Sequence, residues 1–255
     1  MGFFRKLIRP IAQIQLFEHW IEVMYDQSKN QNDGNIDSNG ERWCIEHLIG
    51  DSDTVFDVGA NRGEWSARCV RYHPKARVHA FEPSPTIFEK LSAQRFPSVT
   101  LCNVGLADKP GRAILRVAST DTGLSSLVDS PIINSKGGTT HEEEVVLTTI
   151  DEYCKKQDIE RIEYLKIDVE GFELNVLRGA ARMLSEQKIS NIQFEYGPTF
   201  IGTRTFLKDI FDILERNGYK ISKIYPDGLR HVDISYILEN FRYCNFLAQL
   251  DPRTA

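Results

Sequence analysis

The chain has 255 residues, 41% hydrophobic and 26% charged, with a formal net charge of -5. That suffices for one large core, or a core with an appendage, and the negative balance argues against nucleic acid as a default partner. Five cysteines, Cys44, Cys69, Cys102, Cys154 and Cys244, form an odd set without a C-x-x-C pair, which fits neither a disulfide framework nor a zinc ribbon and points to a reducing cytoplasm.

No stretch approaches the roughly 20 uninterrupted apolar residues of a membrane span, and Arg9 and Pro10 interrupt the first apolar run where a signal peptide needs continuity. Phe3, Phe4, Leu7, Ile8 and Ile11 recur at helical spacing beside Arg5, Lys6 and Arg9, and Ile14, Phe17, Trp20 and Ile21 carry this face towards Met24. Two readings stay open for this segment. It rests on an anionic bilayer, at the inner face of a membrane, or it packs on the body or on a second subunit, with Pro10 as the kink. Residues 26–40 are polar, rich in Asn and Gly and aperiodic, which reads as a linker. The chain thus divides into an amphipathic helix and linker over 1–40 and a globular domain over 41–255.

In that domain, apolar runs of strand length alternate with amphipathic stretches. Strands are expected over 54–58, 77–81 and 99–104, with helices over 64–72 and 86–95 between them. Two further strands, 112–118 and 143–150, flank a Ser-, Thr- and Gly-rich segment over 119–140 that is long for a plain connection. The alternation resumes with a strand over 162–169, a helix over 172–185, a strand over 189–196, a helix over 205–217, and strands over 219–225 and 243–250. Such alternation predicts an α/β domain, a mostly parallel sheet wound with helices on both faces.

Asp57-Val58-Gly59-Ala60-Asn61-Arg62-Gly63 closes the first strand and opens the first helix. Its glycines stand where the chain turns sharply and where a ligand approaches the backbone, and the helix N-terminus offers N–H groups to an anion or carboxylate. The G-x-x-x-G spacing lacks the third glycine of the dinucleotide fingerprint, which disfavours a nicotinamide-dependent oxidoreductase. Asp57 would repel a pyrophosphate, yet it can accept hydrogen bonds through water from the ammonium of a methionine moiety, which selects a sulfonium cofactor. Glu82 ends the next strand, about two dozen residues on, where a carboxylate can accept both ribose hydroxyls. Asn103, ending the third strand, is a candidate for the adenine edge or for a turn before Gly105.

Four segments resemble the FkbM family of methyltransferases. They are Val55-Phe56-Asp57-Val58-Gly59-Ala60-Asn61 with Gly63, Ala80-Phe81-Glu82-Pro83, Asn103-Val104-Gly105-Leu106-Ala107-Asp108 followed by Gly111, and Leu165-Lys166-Ile167-Asp168-Val169-Glu170-Gly171-Phe172-Glu173. The last is the most specific, and Leu147-Thr148-Thr149-Ile150-Asp151-Glu152-Tyr153 adds to it; the likeness covers roughly residues 50 to 200. The resemblance implies a class I, Rossmann-like, doubly wound and mostly parallel seven-stranded sheet. It further implies S-adenosylmethionine (SAM) held by the glycine turn and Glu82, and a methyl acceptor near Asp168 and Glu170, usually a hydroxyl of a carbohydrate or similar metabolite.

Methyl transfer from a sulfonium is an in-line displacement, so the protein must align the acceptor oxygen and dispose of its proton. Lys166, Asp168 and Glu170 alternate with Leu165, Ile167 and Val169, putting three charges on one face of a strand otherwise expected to be buried on both. Asp168 is the candidate base or acceptor-orienting group, Glu170 a second carboxylate, and Lys166 their counter-charge or a donor to the developing site. Glu195 ends the following strand and reaches the same crevice. Asp168, Glu170 and Glu195 together could hold a divalent cation that acidifies the hydroxyl. The structural alternative is that Glu170 complements the next helix's dipole while Lys166 and Asp168 form an internal pair. His141 reads as a solvated loop residue more readily than as a base, and Ser125 and Ser126, after Gly123-Leu124, are candidates for a lid. A nucleic-acid methylase should show an Asn/Asp-Pro-Pro-aromatic motif, which the sequence lacks, and the intact Asp57, Gly59, Gly63 and Glu82 argue against an inactive scaffold.

Overall fold

The computed structural model describes residues 16–118, 125–126, 140–235 and 238–250. β1 (Thr54–Val58) is buried at all five positions, the mark of a strand covered on both faces, and it lies inside the larger sheet. On one side it pairs in parallel with β2 (Arg77–Phe81), which pairs with β3 (Val99–Cys102). On the other it pairs with β8 (Ile162–Ile167), which pairs with β9 (Ile189–Tyr196). Beyond β9 the sheet turns antiparallel through β12 (Cys244–Leu250), β10 (Tyr219–Tyr225) and β11 (Gly228–His231).

Alternation along the strands sorts the core into two layers. Val55, Val78, Tyr164 and Leu247 meet Cys44 and Ile45 of α2 (Glu41–Leu48) and Trp65 and Cys69 of α3 (Glu64–Tyr72). Phe56, Leu165, Ile167 and Phe194 face the opposite layer, built from α5 (Ile150–Lys156), α6 (Glu173–Arg178), α7 (Ala181–Ser185) and α9 (Leu207–Arg216). A second sheet, in the order β4, β7, β5, β6, joins β4 (Gly105–Leu106), β5 (Gly111–Ala118), β6 (Ser125–Ser126) and β7 (Thr140–Thr148). Leu115, Val117 and Val145 of its β5–β7 ribbon bury against Ile87 of α4 (Pro85–Ser92).

The wound α/β architecture agrees with expectation, and the strand count does not: the main sheet has eight strands and is mixed. The extra strand is β11, which the Pro226-Asp227 turn folds back on β10 with Tyr225 opposite Gly228; with one buried residue in four it carries too little apolar signal to be read. The helix expected over 172–185 breaks into α6 and α7. At the break, a Cβ on Gly179 would lie 1.9 Å from the Ala107 carbonyl oxygen, and the Asp151 carboxylate caps the new helix by accepting the N–H groups of Arg182 and Met183 at 2.7 and 3.1 Å. The strand expected over 99–104 ends at Cys102, because Gly105 and Leu106 leave it to pair with β7.

Residues 16–28 are helical (α1). Phe17, Trp20, Ile21 and Met24 remain 46–60% exposed there, so the body does not cover this face. Arg242 anchors the helix through Asp26 and Glu22. The more N-terminal part of the amphipathic segment lies outside the described residues.

Candidate active site

The glycine turn leaves the end of β1 with Gly59 at φ +83°, Asn61 at +50° and Gly63 at +82°, all in the left-handed region that disfavours side chains. A Cβ on Gly59 would lie 1.8 Å from the Asp168 carbonyl oxygen, so only glycine lets the ends of β1 and β8 meet. The Gly59 and Ala60 N–H groups donate to the Phe81 carbonyl at 3.0 and 2.9 Å, fastening the turn to β2.

Glu82, one residue beyond, is 3% exposed. Its Oε2 accepts the Asn61 N–H at 3.0 Å and its Oε1 the Ser84 N–H at 2.9 Å. Burial pushes its carboxyl up to about 7 against those two bonds. Ser84 caps α4 by accepting the Ile87 N–H, and its hydroxyl donates to Glu143 Oε2 at 2.5 Å, tying the β5–β7 ribbon to this strand end. Burial raises the Glu143 carboxyl, but hydrogen bonds from Ser84, Thr86 and His141 outweigh it and hold the group below its usual value.

These elements enclose a cleft of about 720 Å³, open solvent included. Gly59, Asn61, Glu82, Asp168 and Glu170 line it beside the apolar Phe81, Leu106, Leu115 and Phe172. Five residues singled out in the sequence therefore converge. Gly63 instead caps α3. Asn103 donates to the Glu82 and Pro83 carbonyls at 2.9 and 3.1 Å, outside the residues lining the cleft. Asp57 is fully buried and accepts from the Ser66 hydroxyl at 2.7 Å.

Behind the cleft, register sets Asp57, Lys166 and Gln193 side by side on β1, β8 and β9. Lys166 Nζ lies 3.0 Å from Asp168 Oδ2 and 3.4 Å from Asp57 Oδ1. Burial pulls this ammonium down, but Asp168, Asp57 and Glu41 more than compensate and hold it above its usual value. Asp168 is partly exposed; burial raises it, and the Lys166 charge and a hydrogen bond with Glu195 bring it below the carboxylate range. Glu195 moves the other way, raised by burial and by the Asp168 and Glu170 charges. Their environments thus push the two carboxyls apart, Asp168 down and Glu195 up. Among the described residues no three His, Cys, Asp or Glu are grouped to hold a metal ion.

His141 is exposed in β7 and bonds Glu143 Oε1 at 2.9 Å. Ser125 and Ser126 pair with β5, whereas Gly123 and Leu124 lie outside the described residues. Three polar contributors escaped the sequence reading. Glu41 of α2 accepts from Gln193 Nε2 at 2.8 Å, and its charge is felt by Lys166. Tyr243, raised by burial and then by the Glu195, Glu41 and Asp168 charges, joins the cluster from the far end of the chain. Glu173 carries a signal, since it falls in the Glu-Gly-Phe-Glu run, but at the start of a helix it reads as a dipole partner.

The family model described as the methyltransferase FkbM domain matches residues 57–221, from the end of β1 into β10. The chain belongs to the FkbM methyltransferase family. It is similar to the hexuronic acid methyltransferase AglP of Haloferax volcanii, 30% identical over 169 residues that cover 63% of this chain and 65% of that protein. It is also similar to the 2-O-methyltransferase NoeI of Sinorhizobium fredii, 22% identical with 69% and 75% covered, and to the 31-O-demethyl-FK506 methyltransferase FkbM of Streptomyces tacrolimicus, 29% identical with 50% and 59% covered. The match thus spans less than two thirds of AglP and of the Streptomyces FkbM. Among solved structures, the methyltransferase FkbM of Methylobacillus flagellatus aligns with a TM-score of 0.49 at 22% identity, covering 78% of this chain and 44% of that one.

Proposed function

We propose that this FkbM-family chain is a SAM-dependent O-methyltransferase acting on a hydroxyl of a carbohydrate or similar small metabolite. The observation that carries the reading is one cleft uniting the Gly59 turn and Glu82 with the carboxylates of Asp168 and Glu170. The residues suit the cofactor. Each Glu82 oxygen keeps a lone pair beyond its backbone bond for a ribose hydroxyl, the Gly59 turn admits a ligand close to the backbone, and Phe81, Leu106 and Leu115 offer an apolar wall to a purine. When bound, SAM supplies an electrophilic methyl group. Two relatives, the 2-O-methyltransferase NoeI and the 31-O-demethyl-FK506 methyltransferase FkbM, favour oxygen as the acceptor atom, and AglP, a hexuronic acid methyltransferase, favours a sugar.

In this reading Asp168 accepts the hydrogen bond of the acceptor hydroxyl and aims its lone pair. With Lys166 and Glu195 bonded to it, Asp168 is a weak base, too weak to ionise a resting alcohol. It need not do so. As the oxygen–carbon bond forms, the hydroxyl proton becomes strongly acidic and passes to the waiting carboxylate, while Lys166 balances the charge in the resting state.

Isothermal titration with SAM and S-adenosylhomocysteine (SAH), with NAD as control, tests the cofactor. Binding of both sulfur compounds and not NAD is expected, whereas NAD binding with silence towards SAM and SAH refutes it. Labelled methyl transfer to a panel of glycans and polyols, with and without EDTA, then tests the acceptor class and any metal requirement.

A further inference from the structure

Glu173 opens α6 and is 1% exposed. Its Oε1 accepts the N–H groups of Val169 at 3.0 Å and Gly171 at 3.3 Å, the amides on either side of Glu170. Between them the backbone takes a conformation that L-residues resist: Glu170 has φ +54° and Gly171 +98°. A Cβ on Gly171 would lie 2.9 Å from the Thr199 carbonyl oxygen, so the turn is also pressed against α8 (Thr199–Thr203). Such a conformation persists only where its surroundings over-determine it. The second oxygen, Oε2, is buried and has no hydrogen-bond partner among the described residues.

We propose that Glu173 is the positioning residue of this site: its carboxyl clamps the Val169–Gly171 turn and so fixes Asp168 and Glu170 against the cofactor cleft. The proposal rests on the SAM-dependent reading above. A buried oxygen without a donor is tolerable on a neutral carboxyl and expensive on a carboxylate. The titratable groups coupled to Glu173 are Asp168, at the end of β8, and Glu195, at the end of β9, both acids. Burial pushes its carboxyl up to about 8, with Asp168 adding to the rise and its own, the Val169 and the Gly171 amides opposing it. The clamp therefore works uncharged. Deprotonation places a further negative charge near Asp168 and strains the turn.

SAH titration of the wild type, E173Q and E173A between pH 7 and 9 provides the test, with thermal melts of the unliganded proteins alongside. Glu82, near 7, also titrates at the lower end of this window, but it does so in wild type and E173Q alike, so Glu173 is read from the difference between their profiles. E173A is expected to weaken SAH about tenfold at pH 7. The conservative E173Q rescues most of that loss, because its amide oxygen keeps both turn bonds without a charge. Relative to E173Q, wild-type affinity should fall about tenfold from pH 7 to pH 9, following the neutral fraction of a group near 8. A structural contact alone would lower E173A but leave wild type and E173Q with parallel pH profiles; parallel profiles overturn the proposal, whether or not E173A folds. If no variant binds SAH while all melt cooperatively, the SAM reading has failed instead, and the melts decide the clamp. A steeper loss of melting temperature with pH in wild type than in E173Q supports it, and equal slopes reject it.

Discussion

At the scale of single residues, the site separates two carboxylates by environment. Asp168 has a cation at 3.0 Å and is held ionised, whereas Glu82 meets only neutral N–H donors in a buried niche and sits near 7. Asp168→Asn keeps the shape but removes the proton acceptor, so SAH affinity should persist while turnover falls roughly 10²- to 10⁴-fold. Normal turnover would sink the mechanism. For Glu82 the ionised form is the better acceptor of ribose hydroxyl bonds, so SAH affinity should decline as pH drops through about 7. Glu82→Gln should weaken binding about tenfold or more and abolish this dependence, both readable by titration calorimetry at pH 6 and 8.

At the scale of elements, function depends on backbones meeting closely. The break between α6 and α7 lets Gly179 sit on Ala107, directly after β4, and β4 supplies Gly105 and Leu106 to the cleft wall. Gly179→Ala must push these apart, so a loss of about 2–4 kcal/mol in urea unfolding is expected, with weaker SAH binding as the β4 wall shifts. An unchanged urea midpoint would show that the contact relaxes freely. The Ser84–Glu143 bond does similar work between layers, holding the ribbon that carries Leu115 to the strand end that carries Glu82.

For the molecule as a whole, burial of acids sets the pH dependence of stability. Glu82, Glu173, Glu41 and Glu195 all have raised values in the fold, so the folded chain holds their protons more tightly than the unfolded one. Their contribution is fully present below the ordinary glutamate value of 4.5 and is lost as pH rises through about 7 and 8 for Glu82 and Glu173. Asp168, Glu143 and Asp37 are lowered and act oppositely, but their share is lost only as pH falls into the acid range. The urea midpoint should therefore decline steadily between pH 6 and 9, and a midpoint that rises over this interval would contradict the buried-acid account. No helix among the described residues is long and apolar enough to cross a membrane.

Local pattern determined much of this protein. An apolar run of strand length over 54–58 announced β1, G-x-x-x-G at its end announced the turn, and an acid closing each of β2, β8 and β9 announced where polar chemistry gathers, because strand period and chain direction alone bring those ends to one edge of a parallel sheet. Tertiary structure decided the rest, where the cause lies far away in sequence. Gly179 reads as an ordinary helix glycine until Ala107 is seen against it. β11 is held by β10 rather than by its own composition. Tyr243 and Glu41 reach the acidic cluster from opposite ends of the chain. Which of two similar carboxylates is charged was likewise beyond the sequence: Lys166 stands beside Asp168 and, among the described residues, no cation answers Glu173, and that difference arises from burial and through-space distance, which no run of neighbouring residues encodes.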